Sequence, residues 1–210
     1  MRASAATTRP RPRPRTLALR ALLVLAPSLV AWTPANPILL LQPQSRLWVN
    51  GTSTVRAFEC QATTFVADID GTMPGAAAAV LGGEKAVREV TVRVPAAKLD
   101  CKNGTMNGHM LKALQATAHP VIEFRLTSYT VGKTADGAEG ALTGTLALGG
   151  ATKTITFRGT ASDAGDGQLR VVGTHPLRLS EYGLKAPSLM MGTMKVNDLV
   201  TVSFDLILQG

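Results

Sequence analysis

From Leu47 onward apolar and polar residues alternate along most of the chain, the period-two pattern of strands with one buried face. Leu47, Trp48 and Val49 open the pattern, and Val55, Ala57 and the run 58–66 continue it. Between 88 and 94, Val90, Val92 and Val94 share one face while Thr91 and Arg93 take the other. Ile122, Phe124 and Leu126 alternate with Glu123, Arg125 and Thr127, and Ile155 and Phe157 with Thr156 and Arg158. Leu142, Leu146 and Leu148 share a parity with Gly144. A turn over 163–167 precedes a strand over 168–179. The closing strand sets Val200, Val202, Phe204, Leu206 and Leu208 against Thr201, Ser203, Asp205 and Ile207.

One segment breaks the alternation. Over 105–118, Met106, Met110, Leu111 and Leu114 recur at helical spacing, leaving His109 and Lys112 for a solvated face. Thr105 is the expected N-cap and Pro120 the stop. The Gly- and Ala-rich stretch 73–85 reads as a connection, with room for a helical turn over 76–80 before Gly82 and Gly83. Many strands, Gly-rich turns and one helix predict a mainly all-β sandwich or barrel.

Composition enters mainly through its uneven charge. The 210 residues carry a formal net charge of +8. Arg2, Arg9, Arg11, Arg13, Arg15 and Arg20 supply six of those charges before residue 21, where no Asp or Glu occurs, leaving +2 for the rest. The basicity belongs to the leader, so no basic stripe on the folded part predicts a nucleic-acid partner. This arginine-rich start precedes the apolar run 21–31, which has the length of a signal-peptide core and is short for a bilayer span. Thr33 and Ala35 make the better small-residue cleavage site, and Arg20 and Pro27 argue against an uncleaved anchor. The expected organisation is a signal peptide over 1–35, a short linker over 36–45 and one domain over 46–210, with no stable membrane insertion of the mature domain. Export to the periplasm or the exterior follows. About 175 residues then remain, enough to bury roughly 70% of the unfolded surface in one domain.

Candidate chemistry is sparse. Cys60 and Cys101 are an even pair, which in an exported chain reads as a disulfide, with free buried thiols as the alternative. His109, His119 and His175 form no metal-ligand cluster, and G-x-S-x-G, H-E-x-x-H and P-loop motifs are missing. His119, at a strand entrance beside Pro120, is the one histidine placed to serve a site; Asp68, Asp70 and Asp100 read as turn residues. Met190, Met191 and Met194 form a loop able to adapt to an apolar ligand, to cap a core or, as a weaker option, to hold Cu(I). Asn50 and Asn103 head N-x-T sequons, which matter only in a host that glycosylates exported proteins. No metal, cofactor or catalytic residue is expected.

Four stretches, in order, resemble the YceI-like family. GTSTVRAF at 51–58 is similar to its opening strand; NGHMLKAL at 107–114 followed by HPVIEF at 119–124 resembles its helix and next strand. LTGTLALGGATK at 142–153 before ITF at 155–157 resembles a hairpin of the family; LSEYGL at 179–184 and VNDLVTV at 196–202 resemble its final strands. The resemblance spans 46–209, and it implies an antiparallel lipocalin-like β-barrel of about eight strands with one helix between early strands. It also implies a long apolar amphiphile (isoprenoid, quinone-like or fatty) held inside. Phe124, Leu126, Leu142, Leu146, Phe157, Val202, Phe204, Met190 and Met194 are the expected lining, with Gly144 and Ala57 leaving space in the bore. A filled, non-catalytic envelope barrel is the alternative. Where the family often has a base before the corner Ser, this chain has Leu179, which removes the head-group contact expected of that base. Sheet edges that pair in some such barrels leave a homodimer open.

Overall fold

A computed structural model describes residues 38–189 and 194–210. The expected signal peptide, the first two linker residues and Met190 lie outside the described residues. In chain order the strands are β1 (Leu40–Leu41), β2 (Arg46–Thr52), β3 (Ala57–Ala62), β4 (Val66–Gly71), β5 (Val87–Pro95), β6 (Leu99–Asp100) and β7 (Val121–Thr134). They continue as β8 (Gly137–Leu148), β9 (Ala151–Gly165), β10 (Gln168–Arg178), β11 (Ser188–Leu189), β12 (Met194–Lys195) and β13 (Leu199–Gln209). Among the described residues two α-helices interrupt them, α1 (Ala76–Leu81) and α2 (Gly104–Ala113).

The strands pair antiparallel in the order β4-β5-β7-β8-β9-β10-β13-β2-β3-β6, with β1 attached to β13 and β11–β12 forming a separate short ladder. The sheet curls strongly, but β4 and β6 at its ends do not pair, so it is a half-barrel of ten strands in sequence, more than the eight expected. Tight hairpins explain the long central strands. The β8–β9 turn puts Gly149 and Gly150 at φ 55° and 86°, and the β9–β10 turn puts Asp166 and Gly167 at 51° and 74°. Paired positive φ values match the strands' right-handed twist, and glycine adopts them without a Cβ clash. The second hairpin lets β9 run through Gly165, so the turn sits later than the expected 163–167.

Other departures are local. The expected run 58–66 is broken at 63–65, where the chain passes from β3 to β4 instead of continuing one strand. Asp68 and Asp70 are strand rather than turn residues: on β4 they meet Arg93 at 2.6 Å and Arg88 at 3.0 Å. Glu123, on β7, accepts from both Arg93 and Arg125, and those bonds hold its carboxyl below the usual carboxylate range. These pairs zip the outer face of the sheet.

The helix α2 starts and ends earlier than its pattern suggested. Asn103, not Thr105, is the N-cap, its side chain accepting from the Met106 N–H at 3.0 Å. The last helical residue is Ala113, and the chain then turns through Gln115 at φ 54° before reaching Pro120. An amide side chain at the N-cap satisfies one of the helix's free donors as well as a hydroxyl does, so local hydrogen bonding selected the first competent residue.

Candidate functional site

The inner face of the sheet is built by register. Val49 stands between Val202 on β13 and Cys60 on β3, and Leu47 faces Phe204. Phe124 stands between Val92 on β5 and Leu146 on β8, and Leu142 faces Phe157 on β9. On β7 a bulge between Leu126 and Ser128 inserts Thr127 and shifts the parity of everything beyond it. Tyr129 and Val131 therefore point inward as Phe124 and Leu126 do, and the Tyr129 hydroxyl accepts the Val87 N–H at 3.0 Å.

Two apolar cavities occupy this interior. The larger, about 440 Å³, lies under α2. The smaller, about 170 Å³, lies toward α1 and the chain around Leu39. Apolar ligand sites run from about 300 to 1,000 Å³, and an engineered cavity of about 150 Å³ suffices for benzene. Of the expected lining residues, Phe124, Leu146, Phe157 and Val202 border the larger cavity. Leu126, Leu142 and Phe204 border only the smaller one, which Phe124, Phe157 and Val202 also touch. Met190 lies outside the described residues, and for Met194 only the backbone is described, paired with Leu189.

Two expected gaps are not gaps. Gly144 has no side chain, but the Phe124 ring occupies the space: a Cβ on Gly144 would stand 2.6 Å from two ring atoms. Ala57 is exposed, because the inward parity of β3 belongs to Phe58 and Cys60. A glycine in a strand reads as open space in a sequence, whereas a neighbouring aromatic ring readily fills it.

The α2 helix covers the larger cavity with Met106, His109, Met110 and Ala113. His109, half-buried, thus borders the cavity, because the face that α2 lays over the sheet carries 106, 109, 110 and 113 together. Cys60 and Cys101 are joined by a disulfide that ties β3 to the segment entering α2. The Asn107 side chain locks the same segment, accepting from Cys101 N at 2.8 Å and donating to Asp100 Oδ1 at 2.8 Å. That donation, with a second from Lys102 N, keeps the Asp100 carboxyl below its ordinary range.

Polar groups collect at the rim. Ser53, Arg56, Asn103, Thr105 and His109 border the larger cavity, and Arg56 is the one Lys, Arg, Asp or Glu among its described lining residues. The Ser53 hydroxyl folds the Arg56 loop, donating to Arg56 O at 2.9 Å and accepting from Arg56 N at 3.1 Å. The smaller cavity has Glu139 as its charged neighbour. At the corner after β10, the Ser180 hydroxyl and N–H donate to Asp198 at 2.6 and 2.7 Å, holding that carboxyl below its usual range. Leu179 and Leu184 from this corner turn into the larger cavity, so the position before the corner Ser supplies alkyl surface.

The remaining histidines stand elsewhere. His119 borders neither cavity and lies against Gly150. His175 packs against Phe157 with ring centroids 5.1 Å apart and planes tilted by 56°, and donates from Nδ1 to Thr156 O at 3.1 Å. Among the described residues no three His, Cys, Asp or Glu side chains group as metal ligands, and no helix is long and apolar enough to cross a membrane. The sequence pattern missed Met106, His109 and Met110 as a cavity roof. Their i, i+3, i+4 spacing was visible; which face the helix would present was not.

Comparison with known proteins gives a consistent result. The profile of the YceI-like domain matches residues 48–208. Among solved structures, BcnA of Burkholderia cenocepacia superposes with a TM-score of 0.61 at 19% identity, over 78% of this chain and 95% of that one. A polyisoprenoid binding domain from Saccharophagus degradans gives 0.54 at 14% identity, over 82% and 97%. The YceI protein of Campylobacter jejuni gives 0.53 at 17% identity, over 70% and 82%. No curated protein shows significant similarity to the chain.

Proposed function

The chain belongs to the YceI-like family, and from that premise we propose that it is an exported, non-catalytic binding protein that sequesters or carries a long apolar amphiphile inside its half-barrel. The observation that carries the reading is the apolar cavity of about 440 Å³, roofed by Met106 and Met110 and rimmed by polar side chains. Aliphatic and aromatic walls favour an alkyl or isoprenoid tail, each buried CH₂ contributing about 0.8 kcal/mol. A polar rim on an apolar bore suits a molecule with one wet end. The described site holds no paired acid and base: Arg56 and His109 face the cavity with no carboxylate beside them.

The arginine-rich leader and its apolar run support export to the periplasm or the exterior, as a disulfide does, since such bonds persist in oxidising compartments. The polyisoprenoid-binding relative from Saccharophagus degradans favours an isoprenoid among the candidate tails.

The test is native mass spectrometry with organic extraction on protein purified from its exported compartment. A bound lipid of defined mass supports the carrier reading and identifies its class. An empty protein that takes up no isoprenoid, quinone or fatty acid overturns it in favour of a structural envelope barrel.

A further inference from the structure

The two cavities meet at a layer of three aromatic rings. Phe124 and Phe157 stand edge to face, centroids 5.4 Å apart with planes at 87°. Phe157 meets Phe204 the same way, at 5.5 Å and 72°. Phe124 and Phe157 border both cavities, together with Leu47, Val92 and Val202, and Phe204 borders the smaller, so the rings stand across the junction of the two. The outer two rings are seated on glycines. Gly144 lies beneath Phe124, and Gly173, directly across the ladder from Phe204, would bring a Cβ to within 2.5 Å of the Phe204 ring. Phe157 closes the middle and is buried, 7% exposed, with the His175 ring also packed against it.

We propose that the Phe124–Phe157–Phe204 layer is a partition that sets the length of tail the protein accepts. The inference rests on the amphiphile reading and adds what that reading leaves open, namely where the tail stops. A tail entering beneath α2 fills the larger cavity and meets the rings. Continuing into the smaller cavity requires a ring to leave its glycine seat and its edge-to-face contacts, each worth about 0.5–1.5 kcal/mol beyond burial. Extending the tail by one methylene returns about 0.8 kcal/mol, so the first carbons past the layer gain too little to open it. The preferred ligand is therefore a single-tailed amphiphile whose chain ends at the rings, and chains a few carbons longer bind no better.

Calorimetric titration with straight-chain saturated carboxylates of increasing length tests this, on the disulfide-bonded full domain. For the unaltered protein, affinity is expected to rise about fourfold per methylene and then level off abruptly. In Phe157→Leu the rise is expected to continue through the lengths at which the unaltered protein levels off. Phe124→Leu, at the edge of the layer, serves as a second variant should Phe157→Leu fail to fold, with the same expectation. A smooth rise without a break, or a break at the same length in the folded variant, overturns the partition while leaving the carrier reading intact. Absence of carboxylate binding at every length overturns the partition, and the carrier reading falls with it if isoprenoids and quinones are not taken up either.

Discussion

The seating of Phe204 on Gly173 gives a sharp test of how this interior is packed. Replacing Gly173 with Ala would place a methyl group 2.5 Å from Phe204 Cζ, 2.9 Å from Cε1 and 3.0 Å from the Arg158 carbonyl oxygen. The carbonyl belongs to the β9–β10 ladder and cannot retreat without breaking it, so the ring has to move. Its neighbour Phe157 blocks the direct escape. Overpacking of this kind costs about 1–3 kcal/mol, and losing the Phe157–Phe204 edge contact adds about 0.5–1.5 kcal/mol. Removing a glycine's freedom from the unfolded chain returns about 0.4–1 kcal/mol. The expected net loss is about 2 kcal/mol, or roughly 4–8 °C in Tm for a domain of this size. The control is Gly108→Ala, in the middle of α2, where a Cβ meets nothing within 4 Å. There helix propensity predicts a gain of up to about 1 kcal/mol. Urea denaturation of both variants, with Gly173→Ala also combined with Phe204→Leu, measures the difference. Since a leucine side chain relieves the clash, the double variant should lose less than the two single losses added together. Equal stability of Gly173→Ala and the unaltered protein, or strict additivity in the cycle, would refute the seat.

Three further outcomes are expected. Cys60→Ser with Cys101→Ser opens a loop of sequence separation 41 and should cost about 4 kcal/mol in the chain-entropy picture; hydrogen exchange should accelerate first in α2, and uniform acceleration across the sheet would show that the bond does not anchor that helix. Asp205 is bound by both Arg170 Nε and Nη2 at 2.8 and 2.7 Å, which depresses its pKa; a depressed folded pKa stabilises above the unfolded value, and that share is lost as the pH falls through the folded one. Asp205→Asn should therefore narrow its stability gap to the unaltered protein in acid, and a gap constant between neutral pH and the acid limb contradicts this. Tyr182, 3% exposed, has a hydroxyl with no hydrogen-bond partner among the described residues, and burial pushes its pKa up; Tyr182→Phe should be neutral or stabilising by about 1–3 kcal/mol in thermal melts, and a clear loss would reveal a partner for the hydroxyl.

The inward parity of the strands was legible wherever alternation ran unbroken. Val90, Val92 and Val94, the 122–126 stretch, and Val200 through Leu208 all turn the expected face inward, because a one-residue slip would expose every apolar group at once. Parity failed to extend past Thr127. A bulge needs one extra residue and leaves no signature in side-chain type, so Tyr129 and Val131 could not be placed from the pattern. The same blindness applied to glycine: Gly144 looked like a gap, yet an adjacent ring covers it.

By itself, then, the sequence determined the antiparallel all-β class, the helix between early strands, the family and the apolar character of the interior, since these follow from periodicity and order along the chain. Only the tertiary structure decided that the curled sheet leaves β4 and β6 unpaired with each other, that α2 turns His109 toward the larger cavity, and that three aromatic rings meet where the two cavities adjoin. Each of those depends on how far strands curl and which surfaces meet across the barrel. Such distances are set by packing between residues remote in sequence, and no local pattern encodes them.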